Sequence, residues 1–591
     1  MRSLTTPLSP IFRIWIFCLF FAFAGMPWAV QAQILDDTTK QIPLDKSVRF
    51  FLEKDILDDQ KKSYQIDTTI ENLHRYEPVR ELHNKYVDLG GIGTPMRPLY
   101  YQQPQRIGTT LGVQSFQPYL FNTDNVRYFD ALVPYSHAYY IQGSRGDQFI
   151  DFTFTRSNKE RFNVGFQYRR MLSEKQFAVN INRTAGTPDL YADQHRFVFH
   201  LSWTSKNKRY QLLAHFAHLN TMVFDNGGVR LLPGQPRNDI FAYSFATPQI
   251  AARTWQTQNN LHLYHQYELA KGFKLFHILD RFVQRDDFNH QLTGGDTLQL
   301  QFLNVFRSPG AYFDPNTTAE GFRYQMVENK VGIKGLAAGK FYYQAYIKNR
   351  IFRYWNPIYE GKLAAAGRAD SFVVRAEIQE IENFIGGKLY YQFGDSARLQ
   401  VEAEYLVGRA DYRIAADLTL KQWINLGVRS TSFAPTLMQR RMMSNWAFWD
   451  RTLLNTFAQE FYVRTTLPIG KKLLIEPYAS YQLINNYIYF DTTARPVQTA
   501  EGLQIVQAGL KWRTRFGRFH WVNEWIYTQN LGANLIRFPE VFVNTQVYCE
   551  NCFLRKYLNS QIGLDIHYKS GYLADAYMPI TKQFHLQNSF F

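Results

Sequence analysis

Long runs of alternating apolar and polar residues constrain this chain more than any other feature. One run alternates over Phe162, Val164, Phe166 and Tyr168, and similar runs recur near positions 341–350, 506–513 and 562–568. Alternation with a period of two gives a strand two different faces. These runs reach about ten residues, enough for a tilted strand to cross a bilayer, whereas strands of soluble proteins are commonly about 5–6 residues long. The pattern therefore predicts membrane-crossing strands.

The connections between these runs alternate between short polar turns and long loops. The short ones lie at 205–208, 270–272, 337–339, 394–396, 469–471 and 516–518, and the long ones at 220–256, 286–320, 353–382 and 432–454. Short turns at one end and long loops at the other are typical of outer-membrane barrels. We predict an all-β, antiparallel up-and-down transmembrane barrel of roughly 16–22 strands over residues 106–591. A secreted sandwich or propeller is the less favoured alternative, because no fixed-period repeat is visible.

Residues 1–105 are predicted to contain an export signal followed by a separate segment. Arg2 and Arg13 precede an apolar run, and Ala32 ends a small-residue cleavage site, which together indicate a secretory signal peptide at 1–32. Residues 33–105 lack sustained alternation and are predicted to form a periplasmic N-terminal segment. That segment either threads the lumen or meets a periplasmic partner, or it is a mobile leader. The predicted location is the bacterial cell outer membrane.

Composition excludes two other classes of protein. Aromatic residues make up 16% of the chain but the mean hydropathy is −0.34, and no stretch of roughly 20 apolar residues follows the first thirty positions. A polytopic helical transporter is therefore excluded. The formal net charge is +16, yet the Lys and Arg residues are spread along the chain, so we expect no nucleic-acid partner.

Charged residues on the polar faces of the alternating runs are the candidate functional residues. In a large barrel the polar face surrounds water, so these residues are predicted to line a pore or to form an interior network of ion pairs. They are Arg169, Glu328, Lys348, Arg350, Glu402, Glu404, Arg429, Lys511, Arg513 and Asp565. Basic residues outnumber acidic ones here, particularly once Lys330 and Lys334 are added. The excess predicts a mild preference for anions.

Catalytic and metal chemistry have no clear candidates in the sequence. Cys549 and Cys552 are expected to form a disulfide across a turn, with free thiols or a redox or metal pair as the less favoured alternatives. The pair Glu402 and Glu404 resembles glycosidase carboxylates only superficially, and His215, His218 and His262 lack metal-ligand spacing. We therefore expect no enzymatic activity, no metal and no cofactor.

Several stretches resemble the putative-porin family of the Bacteroidota. The resemblance covers nearly the whole mature chain and rests on the segments at 67–69, 74–78, 89–95, 134–135, 143–148, 226–228, 577–579 and 583–587. It implies an outer-membrane barrel and no catalytic residues. Members of that family continue past the last of these segments into further strands, whereas this sequence ends at Phe591, which puts closure of the barrel in doubt.

Two functions fit these features. The first is a porin-like channel for passive diffusion of small polar or anionic solutes, and the alternative is a non-transport barrel that acts as a scaffold or adhesin for other envelope proteins. A transporter with a folded plug domain is less favoured, because the 72 positions from Ile34 to Gln105 are too few for one. The expected partners are outer-membrane lipid and lipopolysaccharide, small polar solutes, and either further copies of the chain or other envelope proteins.

Overall fold

The computed structural model describes residues 47–588 of the chain, except for 61, 121–122, 144–145, 159–160, 176–188, 231–233, 235–246, 249, 292–296, 310–313, 315, 357–376, 395 and 552–557. The predicted signal peptide at 1–32 lies outside the described residues. Among the described residues, none of the helices is long and apolar enough to cross a membrane.

Most of the described chain is β structure. The strands of the first half are β1 (Val48–Phe51), β2 (Tyr64–Gln65), β3 (Tyr86–Asp88), β4 (Met96–Pro98), β5 (Tyr128–Ala131), β6 (Tyr135–Gln142), β7 (Gln148–Asn158), β8 (Phe162–Glu174), β9 (Leu190–Thr204), β10 (Tyr210–Asp225), β11 (Val229–Arg230), β12 (Thr247–Pro248), β13 (Ala252–Ala270), β14 (Phe273–Gln291), β15 (Thr317–Ala337) and β16 (Phe341–Trp355). Those of the second half are β17 (Ile378–Phe393), β18 (Ala397–Leu406), β19 (Tyr412–Leu420), β20 (Ile424–Phe433), β21 (Arg441–Met443), β22 (Phe448–Asp450), β23 (Thr456–Thr465), β24 (Leu467–Ile469), β25 (Leu473–Asn485), β26 (Ile488–Phe490), β27 (Pro496–Gln498), β28 (Leu503–Phe516), β29 (Phe519–Asn530), β30 (Val541–Glu550), β31 (Gln561–Lys569), β32 (Ala576–Met578) and β33 (Gln583–His585).

Helices in the described residues are short. They are α1 (Glu53–Leu57), α2 (Pro78–Glu81), α3 (Thr297–Phe306) and α4 (Leu437–Arg440), with two turns of 3-10 helix at Gln117–Tyr119 and Thr123–Asn125. A capping box starts α4, because the Thr436 side chain accepts from the Gln439 backbone N–H while the Gln439 side chain accepts from the Thr436 backbone N–H.

Twenty of the strands form one closed barrel in which strands consecutive in the chain pair antiparallel, which confirms the predicted fold class. Going around the wall, the order is β6 to β10, β13 to β20, β23 to β25 and β28 to β31, so each strand lies beside its neighbours in the chain. Strands β23 and β24 both pair with β25 in a single register, with Phe457 opposite Asn485 and Leu467 opposite Ile475. They are two parts of one crossing strand.

The alternation of the sequence maps directly onto the two faces of the wall. Outward-facing apolar side chains are widely exposed, such as Ile347 (67%), Ile381 (62%) and Leu564 (69%). Their immediate neighbours, Lys348 and Glu382 among them, face inward and are buried. Short turns join the strands at one end. Gly272 illustrates their geometry: its φ is 79°, and a Cβ there would lie 2.9 Å from the carbonyl oxygen of Leu336.

The N-terminal segment lies inside the barrel, which corrects the predicted domain boundary. The first barrel strand begins at Tyr135 rather than at residue 106, and residues 47–131, called here the lumen segment, contact inward-facing side chains. Its apolar residues pack against the wall: Phe116 shares one buried cluster with Phe149, and Tyr128 shares another with Leu213. The segment therefore extends beyond the predicted 33–105 arm, and it occupies the lumen, which was one of the predicted alternatives.

Loops and the end of the described chain fill the opposite, long-loop end of the barrel. Trp446 and Trp449 from the loop after β20 join Ile580 from the C-terminal stretch in one buried apolar cluster with the wall residues Phe322 and Tyr354. The stretch that carries β32 and β33 does not continue the barrel, because these two strands pair only with each other. The loop after β20 and the C-terminal stretch thus pack together at this mouth of the barrel.

Candidate functional site

A row of ionisable side chains crosses seven neighbouring strands of the inner wall. Strand register places each residue directly opposite the next, so the row runs across β9, β10 and β13 to β17. Its members, called here the transverse row, are His200, His215, His262, Asp280, Glu328, Arg350 and Glu382. Because side chains opposite each other in a sheet have Cβ atoms about 4.5–5.5 Å apart, the row forms one continuous polar band.

Direct contacts link most members of the row. The rings of His215 and His262 stack with centroids 4.7 Å apart, and Nδ1 of His262 lies 2.7 Å from a carboxylate oxygen of Asp280. Arg350 donates from Nε to Glu328 at 2.8 Å and from Nη1 to Glu382 at 3.2 Å. Arg350 and Glu382 are almost fully buried. Charges buried to this degree need such partners to offset the cost of leaving water.

The lumen segment binds the transverse row at four points. Oε2 of Glu53, on α1, lies 2.6 Å from Nε2 of His262, and the hydroxyl of Tyr128 lies 3.0 Å from Nδ1 of His215. Arg350 donates to the Ile107 carbonyl oxygen at 3.0 Å, while Glu382 accepts from the Thr109 N–H at 2.9 Å. The row is therefore the surface on which the lumen segment rests.

Gly108 permits the closest approach of the lumen segment to the row. Its φ is 80°, and a Cβ on it would lie 2.7 Å from Oε2 of Glu382 and 3.0 Å from Nη1 of Arg350. Either the steric contact or the left-handed backbone would exclude a larger residue. A glycine is thus required where the segment crosses the Arg350–Glu382 pair.

Three wall lysines hold the end of α1. Lys274 and Lys334 lie 2.8 and 3.3 Å from Asp59, and Lys388 lies 2.6 Å from Asp58. Lys334 also donates to the carbonyl oxygens of Ile56 and Leu57, at the C-terminus of the helix. Cations are favourable at this end of a helix because unpaired carbonyls point out of it.

The far side of the wall holds the lumen segment through separate ion pairs. Arg75 and His74 both contact Asp565 of β31, at 3.0 and 3.1 Å. Lys85 contacts Glu524 of β29 at 2.6 Å, and Glu81 contacts Arg169 of β8 at 3.1 Å. With the transverse row on β9 to β17, these contacts show that the segment spans the lumen from wall to wall.

The C-terminal stretch meets the lumen segment at the long-loop end. Arg97 lies 2.9 Å from Asp575, and the Gln583 side chain donates to the Gly112 carbonyl oxygen at 2.9 Å. Lys582 forms a fully buried ion pair with Asp286 of β14 at 2.6 Å. This stretch therefore links the lumen segment to the wall at the long-loop end of the barrel.

Burial shifts the pKa of ionisable groups in the lumen segment and in the C-terminal stretch. Burial raises the pKa of Asp88 and that of Asp575 above the ordinary value of an aspartate, despite the attraction of Arg97 to Asp575. Burial lowers the pKa of His83, and the positive charge of Lys511 lowers it further. The packed lumen segment thus favours the neutral form of His83.

The predicted pore-lining residues all lie on inward-facing strand positions, and eight of the ten form ion pairs. Glu328 and Arg350 belong to the transverse row. Outside the row, the pairs join Arg169 to Asp151, Lys348 to Glu404, Glu402 to Arg413, Arg429 to Glu460 and Asp565 to Arg75. Lys511 lies opposite Glu524 in register, and Arg513 lies two residues farther along β28. Their role in lining an open pore stays a prediction.

Other functional candidates could not be identified from the sequence. His215 and His262 lie far apart in the sequence, and only the register of β10 and β13 places them opposite each other. Asp280, Glu382 and Glu53 were missed altogether, since alternation reveals a face but not a register. Cys549 is disulfide-bonded, while its predicted partner Cys552 lies outside the described residues. Within the described ranges, no group of His, Cys, Asp and Glu could hold a metal ion.

Solved structures similar to this chain include a bacterial iron transporter and two bacterial receptors, whereas no curated protein has a matching sequence. The FrpB iron transporter from Neisseria meningitidis (F5-1 variant) is 10% identical with a TM-score of 0.50, covering 74% of this chain and 69% of that one. The ferric yersiniabactin uptake receptor FyuA from Yersinia pestis is 8% identical with a TM-score of 0.49, covering 76% and 70%. The siderophore receptor PirA from Acinetobacter baumannii is 9% identical with a TM-score of 0.48, covering 74% and 72%.

At such low identity, the likeness to FrpB shows a shared fold and nothing about what this chain binds. Family membership rests on the sequence itself. The family model described as "Putative porin" matches residues 49–590, which is nearly the whole chain. Together with the barrel and its charged inner wall, this match shows that the chain belongs to the putative porin family.

Proposed function

We propose that this chain is an outer-membrane channel for small polar or anionic solutes, closed by its own lumen segment. Solutes diffuse down their gradients when the segment leaves the transverse row, with no catalytic step and no cofactor. The observation that carries the proposal is the contact of Glu53, Ile107 and Thr109 with a charged wall.

The polarity of the wall favours movement over a permanent filling. Replacing a buried ion pair by apolar residues of similar volume is often neutral or stabilising, so a wall that is always covered gains little from charges. A wall that water reaches when the segment moves does need charged side chains. Arg350, Glu328 and Glu382 are buried beneath the segment and would be wetted on its departure.

The lysines around the end of α1 give the segment a releasable attachment. Asp58 and Asp59 contact Lys274, Lys334 and Lys388, so one charge of each pair belongs to the lumen segment and the other to the wall. These lysines and the arginines of the wall also supply the positive field from which the anion preference follows. Loss of the two aspartates should therefore free α1 without removing any wall charge.

Liposome swelling tests this proposal with the refolded full chain. The variant Asp58→Asn/Asp59→Asn should admit small sugars and organic anions faster than the wild type. A matched control, Asp67→Asn/Glu71→Gln, removes two acidic charges from the same segment outside the lysine contacts and should behave as the wild type. Folded barrels that admit no solute in any variant would contradict the channel and favour the scaffold or adhesin.

A further inference from the structure

Four arginines form a basic patch on the outside of the barrel, at β14, β15 and β16. We infer that this outer basic patch, made of Arg281, Arg285, Arg323 and Arg353, binds the phosphate groups of lipid headgroups. The inference concerns the lipid-facing surface and does not depend on the lumen or its opening.

Strand register shows that the four arginines face outward. Arg281 lies opposite Val327, which is an exposed apolar residue, and Arg285 lies directly opposite Arg323. Arg353 lies opposite Gln325, two residues beyond Arg323 on the same face of β15. Their chain neighbours, such as Asp280 and Gln284, point into the barrel. The patch thus occupies one continuous area of the outer wall.

Protein carboxylates neutralise only half of the patch. Arg285 and Arg323 share Asp287, at 2.7 and 2.9 Å, and Arg353 contacts Glu377 at 2.7 Å. In the described part of the chain, Arg281 has no ion-pair partner. Four guanidinium groups against two carboxylates leave an excess of two positive charges. Like charges close together in a sheet are destabilising, so a further anion beside Arg281 and Arg353 would stabilise the patch.

The exposure of the arginines divides the patch into binding and supporting positions. The side chains of Arg285 and Arg353 are 60% and 48% exposed, so their guanidinium donors can reach a ligand. Arg323 is only 18% exposed and donates to the carbonyl oxygens of Asp286 and Phe322. Arg323 therefore supports the patch, while the guanidinium groups of the other three arginines are accessible to a ligand.

The surroundings of the patch favour a lipid headgroup over free phosphate. Exposed Val327 and Ile351 border the arginines and offer an apolar surface to acyl chains. Trp255 lies on the same outer face, and Arg353 packs 4.6 Å from the ring centre of Trp355. Tryptophans mark the headgroup level in membrane proteins. Guanidinium groups bind phosphate oxygens bidentately, which suits a phosphate held at that level.

Lipid retention by the full chain tests the inference. The protein is reconstituted in phosphatidylcholine mixed with phosphatidylglycerol, and retained lipids are counted by native mass spectrometry. The wild type should retain phosphatidylglycerol in preference to phosphatidylcholine. Arg281→Gln/Arg285→Gln/Arg353→Gln should bind it at least about tenfold more weakly, since each basic residue near a membrane surface adds to the attraction for anionic lipid. The control Lys206→Gln/Lys208→Gln/Arg209→Gln removes three exposed charges at the short-turn end and should retain it fully.

A second variant separates charge from folding. Arg281→Lys/Arg285→Lys/Arg353→Lys keeps the charge, so it should retain most of the lipid preference, and heat-dependent gel mobility reports whether each barrel is folded. Equal retention by the folded Gln variant and the wild type would overturn the inference, as would an equal loss in the control. Competition by inorganic phosphate as effective as that by phosphatidylglycerol would overturn the assignment to lipid.

Discussion

The imidazole of His262 on the inner wall lies 2.6 Å from the carboxylate of Glu53 in the lumen segment, although 209 positions separate the two residues. Both side chains are nearly fully buried, and Asp280 occupies the second ring nitrogen of His262. This contact joins α1 to the transverse row. It makes Glu53 a direct probe of whether the lumen segment is held in place.

Glu53→Gln should loosen α1 from the wall without unfolding the barrel. The change removes one of two carboxylates that flank His262 and leaves the pair with Asp280 intact. Losing a hydrogen bond that involves a charged group costs about 1.5–3 kcal/mol, most of which should fall on the attachment of the segment. Hydrogen exchange of residues 53–57 should speed up while that of β13 stays slow. Unchanged exchange at α1 would show that His262 does not anchor it.

Arg350→Met should destabilise the whole barrel. It leaves Glu328 and Glu382 buried without their shared guanidinium, which costs about 3–5 kcal/mol. Denaturant titrations followed by gel mobility measure the loss. The double variant Arg350→Met/Glu382→Gln should recover part of it, and Arg515→Gln, an exposed arginine near the short-turn end, should cost little. A loss no larger than in Arg515→Gln would contradict the importance of the row.

Attachment of the lumen segment should weaken as the pH falls through the histidine range. Burial lowers the pKa of His83, so the folded chain binds the proton less tightly than the unfolded chain does. The stability contributed by neutral His83 is present above its ordinary pKa and is lost as the pH falls below it. The hydrogen-exchange protection factors of residues 78–85, which correct for the intrinsic exchange rate at each pH, should fall between about pH 7.5 and pH 5.

His83→Asn provides the control for that pH dependence. His83 has a φ of 57°, a conformation that asparagine tolerates well, so the backbone should be kept. The protection factors of the same residues in this variant should depend less on pH. If the wild type and the variant respond identically, another group titrates.

Loss of the predicted disulfide should leave insertion and folding intact. A link between Cys549 and Cys552 would close a ring of only four residues, which removes little entropy from the unfolded chain. Mass spectrometry without reductant should find the two cysteines joined. The Cys549→Ala/Cys552→Ala variant should show the same gel mobility as the wild type. Bound zinc, or failure of the variant to fold, would contradict this interpretation.

Alternation in the sequence predicted the face of a residue but not its partner. Lys348, Arg350 and Glu328 could be placed on the inner face because apolar residues such as Val327, Ile347 and Ile351 occupy alternate positions on the same strands. The pairing of Arg350 with Glu382 could not be predicted, since register depends on how a loop of over twenty residues returns the chain to the wall. Register is also what aligns His215 with His262.

The contacts of the lumen segment were beyond prediction for a related reason, although passage through the lumen was one of the predicted alternatives. Residues 33–105 show no periodicity, and their contacts join positions hundreds of residues apart, such as Arg75 with Asp565. The acidic pair Asp58 and Asp59 was visible in the sequence, but the lysines that hold it come from three different strands. Only the closed barrel brings those charges together.

Single-channel recording in planar bilayers tests most directly whether the lumen segment closes a passage. The wild type should rest closed and open briefly, and Asp58→Asn/Asp59→Asn should open more often and for longer, with reversal potentials in a salt gradient that indicate anion preference. Steady ohmic steps in the wild type, or silence in both proteins when they are shown to be folded, would contradict the account.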